Sequence, residues 1–297
     1  MITGILLKGY GGFYYVYAEG RVWECSLRGR FRIQDQEFLP GDHVQILPET
    51  GIKATIEKVN KRRNSLVRPT IANVDQAFLV FALVSPRPDL NLLDRLLIQV
   101  SEVGVKPVII LNKVDQAEEQ EEDARTENSV AGLEFYQNLG YDFLKVSTRT
   151  GQGIAEVREH LKDQVTVLAG PSGVGKSSLV NALEPSLEIK TGEISRKLKR
   201  GRHTTRHVEL MVCGEGLLAD TPGFSALYLP KMKREELAGF FPEFVDVRGN
   251  CRFTSCLHHK EPDCAIKAAV DSGQIEKSRY EHYCLFLEEV ITAERRY

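Results

Sequence analysis

The pattern of hydrophobic and polar positions divides the chain into three parts. Residues 1–66 contain short runs typical of β-strands, separated by turns rich in glycine and proline, and no helical period of useful length. The clearest runs are Phe13–Val16, Arg21–Cys25 and His43–Leu47. This pattern predicts a small β-barrel without saying which kind. Strands and helices alternate from Val74 onward, and the chain becomes mainly helical after Pro230.

The alternating middle part predicts a largely parallel sheet with covered faces. The expected strands are Phe78–Val84, Pro107–Leu111, Phe143–Ser147, Val165–Ala169, His207–Cys213 and Leu217–Asp220, and the expected helices are Leu92–Val103, Ile154–Leu161 and Ser177–Leu183. The longest apolar run, Ala77–Val84, is far shorter than the roughly 20 residues that a membrane-spanning helix needs. No membrane partner is therefore expected.

Composition places the protein in an ordinary class. Of 297 residues, 42% are hydrophobic and 27% are charged, which is typical of globular proteins, and six cysteines are too few for a disulfide framework. The first twelve residues lack a basic region followed by an apolar one, so no secretory signal is predicted. We expect a soluble, cytoplasmic, monomeric protein with several domains.

Charge is unevenly distributed although the formal net charge is only −2. Residues 1–70 carry 11 basic and 7 acidic side chains. Two basic clusters stand out: Lys58, Lys61, Arg62, Arg63 and Arg68, and then Arg196, Lys197, Lys199, Arg200, Arg202 and Arg206. Charge runs are usually solvated faces, but the second cluster contains no acidic residue and overlaps a candidate catalytic segment. It therefore favours a nucleic-acid partner.

Residues 170–178, GPSGVGKSS, contain the pattern G-x-x-x-x-G-K-[ST] between a predicted strand and a predicted helix, which is the context that a phosphate-binding loop requires. Glycines let backbone N–H groups turn toward phosphate oxygens, and the helix N-terminus adds positive potential. Lys176 would bridge the terminal phosphates, and Ser177 would ligate Mg²⁺. The expected nucleotide contacts are Gly170, Pro171, Ser172, Gly173, Val174, Gly175, Lys176, Ser177 and Ser178.

The sequence Asn112-Lys113-Val114-Asp115 follows a predicted strand and indicates the base. A carboxylate there can accept from the N1–H and the exocyclic amine of guanine, whereas adenine presents the opposite pattern. Asn112 would contact the base edge and buttress the loop, and the stem of Lys113 would cover the base. Ser147 and Thr148 would place backbone groups against the guanine O6. Alone, the tetrapeptide is a weak signal of nucleotide binding, but beside a phosphate loop it predicts that the nucleotide is GTP.

Asp220-Thr-Pro-Gly223 fits the pattern D-x-x-G at a strand end. Asp220 would hold Mg²⁺ through water, and the Gly223 N–H would reach the γ-phosphate. In the preceding segment, Thr205 is favoured over Thr204 to complete the metal shell. Because these groups suit hydrolysis by water, a P-loop kinase is a weaker interpretation.

The order of these motifs is unusual. The base loop at 112–115 and the serine loop at 147 precede the phosphate loop at 170, the threonines at 204–205 and D-x-x-G at 220. This order indicates a circular permutation, which is tolerated where the parent fold's termini lie close together. The D-x-x-G segment consequently runs directly into the C-terminal part.

Cys251, Cys256, His258 and Cys264 offer three thiols and one imidazole within one short loop. Three thiolates and one imidazole are a ligand set of structural zinc sites. The spacing is irregular, and His259 competes with His258 as the fourth ligand. Cys25, Cys213 and Cys284 are interpreted as plain core or surface thiols.

A permuted GTPase between a barrel and this loop resembles the ribosome-associated GTPase family RsgA, also called YjeQ or YloQ. The resemblance spans essentially the whole chain, through GPSGVGKSS, GRHTTRHVEL, DTPGF and CRFTSCLHHKEPDC. It implies an RNA-binding oligonucleotide-binding (OB) fold at 1–66, the GTPase domain at 67–226 and a zinc-binding helical domain at 227–297. One structural Zn²⁺ would fall on Cys251, Cys256, His258 and Cys264.

The resemblance also implies a function: GTP hydrolysis to GDP and phosphate, stimulated by the small (30S) ribosomal subunit and its 16S rRNA during late maturation. Phe224 stands where Ras-like enzymes carry a water-orienting glutamine, so His203 is the candidate for that task beside Lys176 and Thr205. The alternative for His203 is a loop residue that touches RNA or solvent. Two other functions stay open: a GTP-dependent switch for a non-ribosomal partner, and an RNA-binding scaffold with nucleotide as a structural ligand.

Overall fold

The computed structural model describes residues 1–29, 31, 37–67, 69–118, 133, 135–187, 208–220 and 228–295, with only the backbone of Asp220. The first part is a closed barrel in the order β1-β2-β3-β5-β4, in which β1 pairs with both β2 and β4 and β3 runs parallel to β5. Its strands are β1 (Ile2–Tyr10), β2 (Phe13–Ala18), β3 (Arg21–Leu27), β4 (His43–Pro48) and β5 (Lys53–Val59). The barrel expected from the sequence is confirmed, and its closure of five strands is that of an OB-fold.

The barrel is fixed to the following chain by its loop before β4. This loop packs on the hairpin of β6 (Ser65–Val67) and β7 (Thr70–Ala72). At Gly41, with φ +88°, an added Cβ would lie 1.9 Å from the Ala72 carbonyl oxygen. The neighbouring Asp42 is fully buried and pairs with Arg62, Nε to Oδ1, at 2.7 Å. Loop and hairpin therefore meet backbone to backbone around a buried ion pair.

This junction uses two arginines of the first basic cluster. Besides the Arg62–Asp42 pair, Arg63 donates to Asp75 at 2.6 Å. Both guanidiniums are thus paired with carboxylates, although Arg63 is itself exposed, as are Lys58 and Lys61. Arg68 and the whole second cluster lie outside the described residues.

The middle part is a six-stranded sheet in the order β10-β9-β8-β11-β13-β12. Its strands are β8 (Gln76–Ala82), β9 (Lys106–Asn112), β10 (Asp142–Lys145), β11 (Val165–Ala169), β12 (Leu210–Cys213) and β13 (Gly216–Asp220). All neighbours are parallel except β12 and β13. The expected parallel sheet is confirmed, and the carboxyl ends of its parallel strands share one edge.

Helices cover both faces of this sheet. They are α1 (Leu90–Glu102), α2 (Val114–Glu118), α3 (Ile154–Leu161) and α4 (Lys176–Leu183). One core forms between the sheet and α1, and a second between the sheet and the pair α3 and α4. Every residue of β8 is buried, as expected of a central parallel strand covered on both sides.

Most elements of this part differ from their predicted bounds by one or two residues, and β12 begins three residues later than predicted. Strand β10 ends at Lys145 rather than Ser147, because Ser147 begins a turn in which its hydroxyl accepts from the Thr150 N–H at 3.1 Å. Strand β12 begins at Leu210, where ladder pairing with Ala219 starts. The residue before it, Glu209, instead forms an ion pair with Lys8 of the barrel.

The last part is mainly helical, as predicted. Its helices are α5 (Pro242–Val245), α6 (Ala265–Asp271) and α7 (Lys277–Glu294), with further helical turns at Leu237–Phe240 and Arg248–Asn250. The aromatic rings of Phe241, Phe244, Tyr283 and Phe286 form its core, and Ile98 of α1 joins them. No helix within the described ranges is long and apolar enough to cross a membrane.

Helix α7 also meets α1 through buried polar groups. Asp94 of α1 is fully buried and accepts hydrogen bonds from Tyr136 Oη at 2.6 Å and from Arg279 Nη1. Its other oxygen lies 2.6 Å from His282 Nδ1. Arg279, only 2% exposed, also binds Glu243 at 2.7 Å. The C-terminal part is thereby attached to the sheet domain by ionic contacts within an apolar surround.

Candidate functional site

The predicted phosphate loop joins β11 to α4, and its glycines are required by close backbone approaches. Gly170 has φ +133°, and a Cβ there would lie 2.0 Å from the Val80 carbonyl oxygen. Gly175 has φ +96°, and its Cβ would lie 2.3 Å from Asn112 Nδ2. Glycine tolerates both the left-handed backbone and these contacts. The loop can therefore fold tightly at the sheet edge with its N–H groups near the start of α4.

Lys176 and Ser177 begin α4, directly after this turn. The Lys176 ammonium donates to the carbonyl oxygens of Gly170 at 2.8 Å and Pro171 at 2.6 Å, so the lysine arches back over the loop. Ser177 and Ser178 are half-buried in the first turn of the helix. This arrangement provides a cation and helix N–H groups at one place, which suits polyphosphate.

The base loop lies against the phosphate loop although 60 residues separate them. Asn112 ends β9 and is fully buried; its Nδ2 donates to the Val174 carbonyl oxygen at 2.9 Å. Its Oδ1 accepts from the backbone of Lys113 at 2.8 Å and of Thr148 at 3.3 Å. Both polar groups of Asn112 are thus engaged within the protein, which fits the expected buttress more directly than the expected contact with a base edge.

Lys113 makes the second link between the two loops. Its backbone has φ +65°, and its ammonium donates to the Gly173 carbonyl oxygen at 2.8 Å and to that of Ser85. The side chain therefore runs along the side of the phosphate loop. That path is consistent with a stem that covers a bound base.

Asp115 lies in the first turn of α2 and faces the loop that follows β10. It is 6% exposed, and Ser147 is fully buried beside it. The hydrogen bond from Ser147 lowers the pKa of Asp115; burial opposes this shift, and the charge of Arg149 adds to it. Arg149 Nε lies 2.6 Å from Asp115 Oδ2. The carboxylate is therefore ionised at neutral pH, as an acceptor for two guanine donors must be.

Sequence reasoning missed Arg149. Its only signal was its position two residues after Ser147, within the loop expected to meet the base. No local pattern shows that this side chain turns back to Asp115, because the pair joins two loops at the ends of neighbouring strands.

The remaining predicted nucleotide residues lie at the end of β13 or outside the described residues. Strand β13 ends at Asp220, whose backbone pairs with Leu168 of β11 two residues before the phosphate loop. The aspartate is thus one strand away from that loop, at the same sheet edge. The predicted residues His203, Thr204, Thr205, Gly223 and Phe224 lie outside the described residues.

The four predicted metal ligands come together in the C-terminal part. The ligand atoms of Cys251, Cys256, His258 and Cys264 all lie within 4.8 Å of one another. Sγ of Cys251 lies 3.4 Å from His258 Nδ1 and 3.9 Å from Sγ of Cys264, and Cys264 Sγ lies 3.5 Å from the same nitrogen. Tetrahedral zinc with bonds of about 2.3 Å to sulfur and 2.0–2.1 Å to nitrogen requires roughly 3.8 and 3.5 Å. The donor set and its spacing therefore fit Zn²⁺.

His258, rather than His259, lies with the three thiols. The ring of His259 points away, with its Nε2 3.9 Å from Glu288. Backbone groups beside His258 are held by α7: Tyr280 donates to the His258 carbonyl oxygen at 2.9 Å, and Tyr283 to that of Leu257 at 2.8 Å. Burial raises the pKa of Cys256 to about 12 and lowers that of His258, so a bound cation would favour the thiolate of Cys256.

The other cysteines agree with their plain interpretation. Cys25 and Cys213 are buried, Cys284 is half-buried, and all six cysteines are free thiols. Burial raises the pKa of Cys213 to about 11 and that of Cys25 to about 12, so neither behaves as a reactive thiolate at neutral pH.

Fold and motifs together define a circularly permuted P-loop GTPase, an enzyme that hydrolyses GTP. The model of the RsgA GTPase family matches residues 59–230, and that of the RsgA N-terminal domain matches residues 3–56. The chain belongs to the RsgA family of GTPases. The family resemblance and the permuted motif order expected from the sequence are both confirmed.

Full-length relatives and solved structures agree with this assignment. The chain is 52% identical, over 100% of both chains, to the small ribosomal subunit biogenesis GTPase RsgA of Moorella thermoacetica, and 47% identical, again over 100% of both, to that of Shouchella clausii. YjeQ from Thermotoga maritima superposes with a TM-score of 0.82 at 35% identity, covering 98% of each chain. YloQ, described as a circularly permuted GTPase, superposes with a TM-score of 0.82 at 38% identity, covering 99% of this chain and 96% of its own.

Proposed function

We propose that this protein binds the small (30S) ribosomal subunit in the cytoplasm and hydrolyses GTP to GDP and phosphate during late maturation of that subunit. The main support for GTP binding is the hydrogen bond from Asn112 to Val174, which joins a guanine-type base loop and a phosphate loop into one site. The ribosomal partner is supported by the names of relatives that match over their full length. Stimulation of hydrolysis by the subunit, and contact with 16S rRNA, are parts of this proposal.

The proposed roles at the nucleotide follow the chemistry of phosphoryl transfer. Lys176 neutralises the terminal phosphates, and Mg²⁺ is held by Ser177, by Thr205 and, through water, by Asp220. Gly223 donates its N–H to the γ-phosphate. Because a phenylalanine at 224 cannot orient water, we assign that task to His203. We expect slow turnover of the isolated protein and faster turnover when the partner orders these groups.

The proposed architecture assigns one task to each part. Residues 1–66 bind RNA, 67–226 bind and hydrolyse GTP, and 227–297 hold one structural Zn²⁺ through Cys251, Cys256, His258 and Cys264. A closed Cys₃His site leaves no open coordination position, so this metal supports folding rather than chemistry. The barrel is supported as an RNA surface by the exposed side chains of Lys58, Lys61, Tyr10 and Phe13.

The first experiment is GTP turnover with and without purified 30S subunits at two salt concentrations. We expect strong stimulation that weakens at the higher salt, because contacts with RNA phosphates release counterions. Stimulation that is the same at both salt concentrations would favour contacts with protein rather than RNA. If the subunits do not stimulate turnover, the proposed ribosomal role is wrong, whereas the GTPase activity still stands.

A second experiment tests His203. His203→Ala should abolish stimulated hydrolysis while leaving GTP affinity unchanged, and His207→Ala, four residues away, serves as the matched histidine control. If stimulated turnover of the His203 variant equals that of the wild type, the assignment of the water-orienting residue is wrong.

A further inference from the structure

Asp115 has an ionic neighbour that the GTPase motifs do not include. Arg149 lies in the loop after β10, and its Nε is 2.6 Å from Asp115 Oδ2. The side chain of Asp115 is 7% exposed, whereas that of Arg149 is 57% exposed. A largely solvated guanidinium therefore reaches a buried carboxylate at the place where the base is expected.

The contact between Arg149 and Asp115 is mainly ionic, since the charge of Arg149 lowers the pKa of Asp115 more than its hydrogen bond to the carboxylate does. Although the two atoms are close, Asp115 Oδ2 accepts no well-aligned hydrogen bond from any residue within the described ranges. The charge of Arg149 thus offsets part of the cost of burying the carboxylate and leaves an acceptor direction of Oδ2 unused. A buried acceptor without a donor is unfavourable, and the neighbouring N–H groups of guanine are donors that satisfy it.

We propose that Arg149 is a positioning residue that determines base specificity: its charge holds the Asp115 carboxylate in place and leaves the unused acceptor of Oδ2 for guanine. This inference rests on the proposed guanine site. Ser147 binds Asp115 from the same loop, and burial opposes the negative charge. The ammonium of neighbouring Lys113 is directed at Gly173 and Ser85 instead. Arg149 is therefore the cation placed to stabilise this carboxylate.

The test compares Arg149→Ala with the wild type in binding of GDP and of inosine diphosphate, using the full chain with Mg²⁺ and isothermal titration calorimetry. Inosine lacks the exocyclic amine of guanine, so its base can donate only one of the two hydrogen bonds to the carboxylate. We expect Arg149→Ala to bind GDP about two- to fivefold more weakly, the range of a partly exposed ion pair, with a smaller loss for inosine diphosphate. The ratio of the two affinities should therefore fall, which a purely structural role of Arg149 would not cause.

Two further variants sharpen this comparison. Arg149→Lys keeps the charge and should recover most of the affinity. Arg28→Ala is the matched control, because Arg28 is 58% exposed and pairs with Glu57 in the barrel, away from the nucleotide. It removes the same charge and should leave both affinities unchanged.

The outcomes separate this inference from the proposed site. Asp115→Asn should shift preference from GDP to xanthosine diphosphate, whose base offers an oxygen in place of the amine. In that background Arg149→Ala should have no effect on xanthosine diphosphate, because a neutral amide needs no counter-charge. Unchanged or tighter GDP binding by Arg149→Ala, at an unchanged ratio, would overturn the role of Arg149. If Asp115→Asn leaves the affinity for GDP unchanged, the proposed guanine site itself is wrong.

Discussion

Asn112 at the end of β9 donates a hydrogen bond from Nδ2 to the Val174 carbonyl oxygen in the loop after β11, at 2.9 Å. Strand β8 lies between those two strands. The contact therefore crosses the sheet edge and joins the part that would bind a base to the part that would bind phosphates. It also explains why permutation is harmless here, because the site depends on strand neighbours rather than on chain order.

Asn112→Ala should weaken the binding of GTP and GDP alike. The change removes the donor to Val174 and the acceptor for the backbone of Lys113 and Thr148, leaving buried backbone groups unpaired. Each such group costs about 1–3 kcal/mol, so unfolding free energy should fall together with affinity. Equilibrium nucleotide binding and urea denaturation measure the two effects. The exposed Asn138→Ala is the control; an Asn112 variant that binds like it would contradict this role.

The buried ion pair between Asp94 and Arg279 should be indispensable to the attachment of the C-terminal part. Asp94→Ala removes the carboxylate and leaves Arg279, 2% exposed, with Glu243 as its remaining carboxylate partner among the described residues. Breaking one partner of a buried pair costs about 3–5 kcal/mol. Urea denaturation should show this loss, whereas Glu281→Gln, in an exposed pair with Lys277, should change stability by less than about 0.5 kcal/mol.

The triple variant Asp94→Leu, Arg279→Met and Glu243→Gln tests whether charge or packing holds this interface, because Arg279→Met alone would leave the buried Glu243 carboxylate without its cation. If charge imbalance causes the loss, the triple variant should be markedly more stable than Asp94→Ala, because no unpaired charge remains among these three residues. Equal instability would mean that Tyr136 and His282, which also bind Asp94, contribute the larger share.

Zinc removal should unfold the C-terminal part selectively. We expect one Zn²⁺ per purified chain, released when a thiol-modifying reagent is added and measured with a chromogenic chelator. Cys251→Ser should lose the metal, because structural sites require their full ligand set. Cys284→Ser is the matched control, since this thiol lies on α7 outside the four-ligand cluster. Zinc retained by the Cys251 variant at wild-type stoichiometry would refute the ligand assignment.

Gly41→Ala should loosen the junction between the barrel and the sheet domain. An added Cβ would lie 1.9 Å from the Ala72 carbonyl oxygen, so the loop must move away from β7. Gly51→Ala is the control, because Gly51 also has positive φ, +70°, yet nothing lies within 4 Å of its Cβ position. The difference in unfolding free energy between the two variants isolates the close approach from backbone strain. Equal losses would mean that strain alone matters.

Sequence patterns located most of the elements because their signals are local. Helix Ile154–Leu161 and strand Val165–Ala169 have the predicted bounds. The phosphate loop and the base tetrapeptide are recognisable because consecutive residues carry their chemistry. The ends of the elements were predicted less accurately. Strand β10 ends at Lys145, because the Ser147 hydroxyl accepts a hydrogen bond from Thr150 within the turn that follows the strand.

The sequence by itself determined the three-part organisation, the GTPase motifs in permuted order and the Cys/His cluster of the candidate metal site, since each depends on residue type and short spacing. Only the tertiary structure decided which charges meet: Arg149 with Asp115, Arg279 with Asp94, and Arg62 with Asp42. Arg62 shows this best, because a residue that belongs to a basic run proves to neutralise a buried carboxylate. Such pairs join distant segments, and burial decides their partners because it makes an unpaired charge costly.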